Sequence, residues 1–112
     1  MVSVTKQDTL TTVELEGSID GKTAPQVREE MRPALEGATE AILDMSKVGY
    51  LSSAGLRLLL LVYREFTAKQ GKLVLVGVAP DIQAVMSHTG FLNFFTIVDT
   101  QAAALQALGR GN

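Results

Sequence analysis

The chain has 112 residues, of which 46% are hydrophobic and 20% charged, and its formal net charge is −2. This length predicts one domain over residues 1–112, because single domains cluster near roughly 100 to 150 residues. The charge balance lacks the basic excess typical of nucleic-acid-binding proteins, so no nucleic-acid partner is expected. With no cysteine and one histidine, His88, the chain has no cysteine or histidine metal cluster.

The sequence pattern predicts neither a secretion signal nor a membrane-spanning segment. The first eight residues contain no basic stretch followed by an apolar run. The longest apolar run, Leu58–Tyr63, falls far short of the roughly 20 residues that span a bilayer. The sequence therefore predicts a cytoplasmic protein that does not insert directly into a membrane.

The N-terminal segment alternates between apolar and polar residues. Val2 and Val4, and later Val13 and Leu15, stand two residues apart, as in half-buried strands. Gln7-Asp8 between the two segments suits a turn. The pattern predicts an antiparallel hairpin.

The rest of the chain alternates between helical patterns and short apolar runs. In chain order, it predicts a helix over 23–35, a strand over 40–45, a helix over 53–70, a strand over 72–77, a helix over 81–89, a strand over 96–98 and a helix over 101–108. Pro33 predicts a kink or a change of character near the end of the first helix. The order predicts an α/β domain with a mixed sheet of four or five strands, an antiparallel N-terminal hairpin and about four helices.

The start of the helix at 53 is the candidate site. Backbone amides at a helix start lack intrahelical partners, and the local dipole is positive, so added negative charge is tolerated. Ser52 or Ser53 could therefore cap the helix, accept a phosphate, or do both. Gly55 in the first turn lowers helix stability, which suggests that another group approaches its backbone closely.

The residues around this start have two interpretations each. Tyr50 and Leu51 could be core residues, which the pattern favours, or an apolar rim covered by a partner. Asp20, in the segment 17–21, could cap the next helix, or contact a partner or a metal ion. No serine, histidine and acid arrangement can be assembled from spacing, so binding rather than catalysis is expected. An enzyme would have to use Asp20, Asp44 and the two serines.

Two segments resemble the STAS domain, a family named for sulfate transporters and anti-sigma factor antagonists. Residues 42–46 (Ile-Leu-Asp-Met-Ser) and 48–56 (Val-Gly-Tyr-Leu-Ser-Ser-Ala-Gly-Leu) are similar to the family's strand ending in Asp, short loop and serine turn that opens a helix. Gly17-x-Ile19-Asp20 is similar to the family's early Gly-x-hydrophobic-Asp element. The resemblance covers nearly the whole chain.

This resemblance implies an anti-sigma factor antagonist in a partner-switching pathway. Such a protein binds an anti-sigma factor that is also a serine kinase, is released when the kinase phosphorylates its serine, and is reset by a serine phosphatase. The acceptor serine of the family falls on Ser53, with Ser52 as the alternative because the familiar form has Asp there. ATP and magnesium would belong to the kinase, so no cofactor and no metal site are expected in this chain. The implied partner-binding residues are Asp20, Tyr50, Leu51, Ser52, Ser53, Gly55 and Leu56.

A rival interpretation keeps the fold and drops the switch. Some STAS-like domains are small subunits of transport or sensory complexes, in which the same helix start would be a static docking surface. The absence of Asp before Ser53 favours this alternative.

Overall fold

The described part of the chain, residues 2–110, forms one mixed sheet of five strands in the computed structural model. The strands are β1 (Val2–Gln7), β2 (Leu10–Ile19), β3 (Glu40–Leu51), β4 (Lys72–Val76) and β5 (Thr96–Val98). The α-helices are α1 (Ala24–Leu35), α2 (Ser53–Ala68), α3 (Pro80–His88) and α4 (Gln101–Ala107), and a short 3-10 helix spans Leu92–Phe94. The predicted fold class is confirmed, with five strands rather than four.

The spatial order of the strands is their order in the chain. β1 and β2 are antiparallel, whereas β2, β3, β4 and β5 are parallel neighbours. Parallel neighbours require a crossover between them, and α1, α2 and α3 supply the three crossovers. The carboxyl ends of the parallel strands therefore lie at one edge of the sheet, where each crossover begins.

β3 is longer than the sequence predicted, since it continues past Met45 to Leu51. Glu14 pairs with Asp44 and Glu16 with Lys47, so β3 advances three residues while β2 advances two. A second such shift follows Gly17. Each extra residue in β3 interrupts the alternation of buried and exposed side chains. Because of this interruption, the sequence pattern of residues 46–51 does not predict a strand.

Side chains from both faces of the sheet are buried. Leu43 and Leu75 point into the larger core, which is shared with α1, α2 and α3. Ile42 and Val74 point to the opposite face and pack against residues of α4 and the turn that follows it. A strand with both faces covered is a continuous apolar run, as the sequence of β4 shows.

α1 and α2 are joined by a partly exposed ion pair. The guanidinium of Arg28 donates to both carboxylate oxygens of Glu65, at 3.0 and 2.6 Å. This hydrogen bonding lowers the pKa of Glu65 below its ordinary value. α1 continues through Pro33 and ends at Leu35, so the proline lies in its last turn.

No helix within residues 2–110 has the length and apolar character needed to cross a membrane.

Candidate functional site

The two segments singled out in the sequence meet at the carboxyl ends of β2 and β3. Ile19 and Leu51 are register partners at the ends of these strands. The backbone N–H of Ser52 donates to the carbonyl oxygen of Ile19 at 2.9 Å. Asp20 and Ser52 therefore leave the sheet side by side.

Ser52 is the N-cap of α2. Its backbone is extended, with φ −86° and ψ 179°, and its hydroxyl oxygen accepts from the N–H groups of Ala54 at 3.2 Å and Gly55 at 3.4 Å. Its carbonyl oxygen accepts the N–H of Leu56 at 2.9 Å. The predicted capping role is confirmed and falls on Ser52, whose hydroxyl oxygen is occupied by amides that would otherwise lack a partner.

Ser53 is the first residue of α2, and its side chain is exposed. Within residues 2–110 its hydroxyl makes no hydrogen bond, whereas that of Ser52 is engaged. The sequence left open which of the two serines caps the helix and which has an accessible hydroxyl. Ser52 caps the N-terminus of α2, and the hydroxyl of Ser53 is exposed to solvent.

This division predicts different effects of removing the two hydroxyls. Ser52→Ala should lower the free energy of unfolding by about 1 kcal/mol, because an N-cap is lost. Ser53→Ala should change it by less than about 0.5 kcal/mol, because an exposed and unbonded hydroxyl is removed. Urea unfolding of both variants checks this expectation, and an equal loss in the two would contradict the assigned cap.

Gly55 is required by the way α2 packs against β2. A Cβ at this position would lie 2.6 Å from the carbonyl oxygen of Ile19 and 2.6 Å from a methyl carbon of Leu51. The predicted close approach to this backbone is therefore confirmed. The approaching group belongs to the chain itself, so Gly55 explains how the helix start is held rather than how a partner binds.

The hydrophobic residues of the candidate set separate by burial. Tyr50 is 55% exposed, so the core position that the sequence favoured for it is wrong. Its neighbour Leu51 is 6% exposed and is a core residue, as is Leu56 at the same exposure. Leu51, Gly55 and Leu56 are thus buried, whereas Tyr50 and Ser53 are exposed.

Asp20 fixes the turn between β2 and α1. Its carboxylate accepts from the backbone N–H groups of Thr23 and Lys22, each at 3.0 Å. In return, the Asp20 N–H donates to the Thr23 hydroxyl at 2.9 Å, and that hydroxyl donates to the carbonyl oxygen of Ser18 at 2.8 Å. Both amides lie in the turn before α1, whose N-cap is Thr23 and has no side-chain cap hydrogen bond, so Asp20 holds this turn rather than capping the helix. Sequence reasoning missed Thr23, whose hydroxyl and backbone N–H both bond to Asp20.

The hydrogen bonds at this turn make Asp20 a stronger acid. The backbone N–H of Thr23, followed by that of Lys22, lowers the pKa of Asp20 below its ordinary value of 3.8. The folded-state pKa is depressed, so the carboxylate contributes stability above pH 3.8, and this contribution is lost as the pH falls through the folded pKa.

A carbon NMR titration of the Asp20 carboxyl should therefore have its midpoint below 3.8. Protonation should release the Thr23 amide, whose proton resonance should move over the same pH range. A midpoint at or above the ordinary value, or a Thr23 amide that does not respond, would contradict the hydrogen-bonded turn.

The acidic residues considered for an enzyme do not converge. Asp44 pairs with Glu14, whereas Leu51 pairs with Ile19 five residues further along β2, which corresponds to roughly 16 Å along a strand. Its carboxylate accepts from the backbone and hydroxyl of Ser46, at 2.9 and 2.7 Å. Across residues 2–110, no three histidine, cysteine or acidic side chains are grouped in a way that could hold a metal ion.

A model of the STAS domain family matches residues 1–104. The chain belongs to the STAS domain family. Among curated relatives, it is 34% identical over 94 residues to BtrV of Bordetella bronchiseptica, which is named as a candidate anti-sigma factor antagonist. The match covers 83% of this chain and 81% of the relative.

Solved structures with the same fold carry similar names. An anti-sigma factor antagonist from Mycobacterium paratuberculosis has a TM-score of 0.87 at 25% identity, with 97% of this chain and 93% of the other covered. The anti-sigma factor antagonist SpoIIAA in its unphosphorylated form has a TM-score of 0.80 at 22% identity, with both chains fully covered. The phosphorylated form of SpoIIAA from Bacillus has a TM-score of 0.74 at 22% identity, with 96% and 99% covered.

Proposed function

We propose that this chain is an anti-sigma factor antagonist whose binding is switched by phosphorylation of Ser53. In this proposal, the unphosphorylated chain binds an anti-sigma factor that is also a serine kinase. Phosphorylation of Ser53 by that kinase releases the chain, and a serine phosphatase restores the binding form. The names of the curated relative and of the Mycobacterium structure support the general role.

The observation that carries the proposal is the exposed, unbonded hydroxyl of Ser53 beside the engaged hydroxyl of Ser52. A kinase needs an accessible hydroxyl oxygen that can attack the γ-phosphate. Ser53 offers such an oxygen without loss of any side-chain hydrogen bond in residues 2–110. Ser52 is the alternative acceptor, but its modification would disturb the cap that it makes with Ala54 and Gly55.

Release without unfolding follows from the position of Ser53. A phosphate adds about 1.5 to 2 negative charges and three acceptor oxygens. At the first residue of a helix, that charge is stabilised by roughly 0.3 to 1 kcal/mol. SpoIIAA has this same fold in its phosphorylated form, which supports a fold that accommodates the group. The phosphate would therefore act on a closely packed partner through its bulk and the cost of its desolvation.

The proposed contact surface is the exposed part of the set expected from the sequence. It consists of Tyr50, Ser53 and the partly exposed residues Asp20 and Ser52. An exposed aromatic side chain such as that of Tyr50 is a common centre for a protein interface. The buried residues Leu51, Gly55 and Leu56 hold this surface in place.

Three further features complete the proposal. We infer a single domain, because the sheet and the helices of residues 2–110 share two cores on either side of one sheet. The chain acts in the cytoplasm, where a sigma factor and its regulators would be found. It acts by binding, without a cofactor of its own.

Phosphate mapping tests the proposal. The chain would be incubated with ATP and an anti-sigma factor serine kinase from the same organism, and the product analysed by mass spectrometry. We expect phosphate on Ser53, retained in Ser52→Ala and lost in Ser53→Ala. Phosphate on Ser52 or elsewhere, or no phosphate, would overturn the assigned acceptor.

A further inference from the structure

Arg57 lies one helical turn after Ser53 on the same face of α2. Side chains four residues apart on a helix are neighbours, with Cβ atoms about 5 to 6 Å apart. Each Cα–Cβ bond in a helix tilts toward the N-terminus, so a long side chain covers the turn before its own residue. The turn before Arg57 is the one that begins at Ser53.

Arg57 is also exposed and has no ion pair or side-chain hydrogen bond within residues 2–110. Three other arginines are engaged in ion pairs, namely Arg28 with Glu65, Arg32 with Glu29 and Arg110 with Glu40. The guanidinium of Arg57 takes part in none of them and makes no hydrogen bond within residues 2–110. Its full set of donors is therefore available to an anion that arises beside it.

We propose that Arg57 is the on-chain partner of a phosphate on Ser53. The planar guanidinium can donate two parallel hydrogen bonds to phosphate oxygens, which a lysine ammonium cannot match in geometry. An acidic group placed N-terminal to a basic one at this spacing is the favoured order on a helix. In the phosphorylated form, the surface thus gains an anion and loses a free cation at once.

This inference rests on the proposed function, because it concerns the phosphorylated state. Its test does not depend on any kinase, since phosphoserine can be placed at position 53 during translation or by semisynthesis. A result against the pairing of Arg57 with the phosphate would not contradict phosphorylation of Ser53 by the kinase. A kinase that does not modify Ser53 would likewise not contradict the pairing of Arg57 with a phosphate placed there.

The phosphorus NMR titration of the phosphoserine chain measures the pairing. A neighbouring cation favours the dianion, so the second phosphate pKa should be lower in the parent than in Arg57→Gln, by about 0.3 units for an i,i+4 ion pair. The negative charge of Asp20 raises the phosphate pKa in both chains alike, so it cancels from the difference between them. Arg57→Lys should give an intermediate value, because its charge remains while the bidentate geometry is lost.

Arg64 supplies the matched control. It is exposed, unpaired within residues 2–110 and on the same face of α2, but roughly 16 Å from Ser53 along the helix axis. Arg64→Gln should leave the phosphate pKa at the parent value. The side-chain N–H resonance of Arg57 should also shift between the serine and phosphoserine chains. Equal phosphate pKa values in the parent, Arg57→Gln and Arg64→Gln, with an unshifted Arg57 resonance, would overturn the inference.

Discussion

Gly55→Ala should lower the free energy of unfolding by about 1 to 3 kcal/mol, although alanine is the better helix former. The added methyl group would lie 2.6 Å from the carbonyl oxygen of Ile19 and from a methyl carbon of Leu51. The carbonyl belongs to the end of β2 and also accepts the N–H of Ser52, so it cannot move without disturbing the helix start. Urea unfolding of the parent and the variant measures the loss.

Gly49→Ala is the matched control for this substitution. Gly49 lies in β3 near the same end of the sheet, but a Cβ there would meet no atom within 4 Å. Its free energy of unfolding should stay within about 0.5 kcal/mol of the parent. A Gly55→Ala variant as stable as Gly49→Ala would contradict the close packing of α2 against β2.

Ser53→Glu should weaken binding of the serine kinase by roughly a hundredfold or more, whereas Ser53→Ala should bind as the parent does. A charge that is buried at the centre of an interface without a partner group across that interface costs about 2 to 5 kcal/mol. The alanine variant removes an unbonded hydroxyl and adds no charge. Isothermal titration of the kinase with each chain, without ATP, measures the two dissociation constants.

Glu and Ala at position 53 also separate the two STAS interpretations. Loss of binding by the glutamate variant alone supports switching. Equal binding by both variants points to the rival function, a static docking subunit of a transport or sensory complex. Ser52→Ala serves as the stability control, because its cap is lost while the side chain of Ser53 stays in place.

The sequence was sufficient for the order and type of the regular elements. Period-two patterns marked β1 and β2, and buried apolar runs marked the first part of β3 and all of β4. Residues 46–51 could not be predicted as strand, because two extra residues in β3 break the alternation that identifies a strand. The 3-10 helix Leu92–Phe94 is too short to leave a periodic signal.

The local structure around the candidate site could be predicted only in part. Glycine in a first helical turn correctly indicated a close contact, whereas only the register of β2 against β3 reveals that Ile19 makes it. Local spacing could not decide which of Ser52 and Ser53 caps the helix, since either can reach an amide two or three residues on. Tyr50 was misplaced because an aromatic residue in an apolar context reads as core, while its direction depends on the shifted register after Gly17.

The most direct test of the switch follows binding and phosphate together. The complex of this chain with the proposed serine kinase would be immobilised through the kinase and exposed to ATP and magnesium. Dissociation would be recorded, and the released chain would be analysed by mass spectrometry. We expect the parent chain to leave the kinase carrying one phosphate on Ser53, and the Ser53→Ala chain to remain bound under the same conditions. A chain that is phosphorylated on Ser53 and stays bound, or a Ser53→Ala chain that leaves as fast as the parent, would contradict the switch.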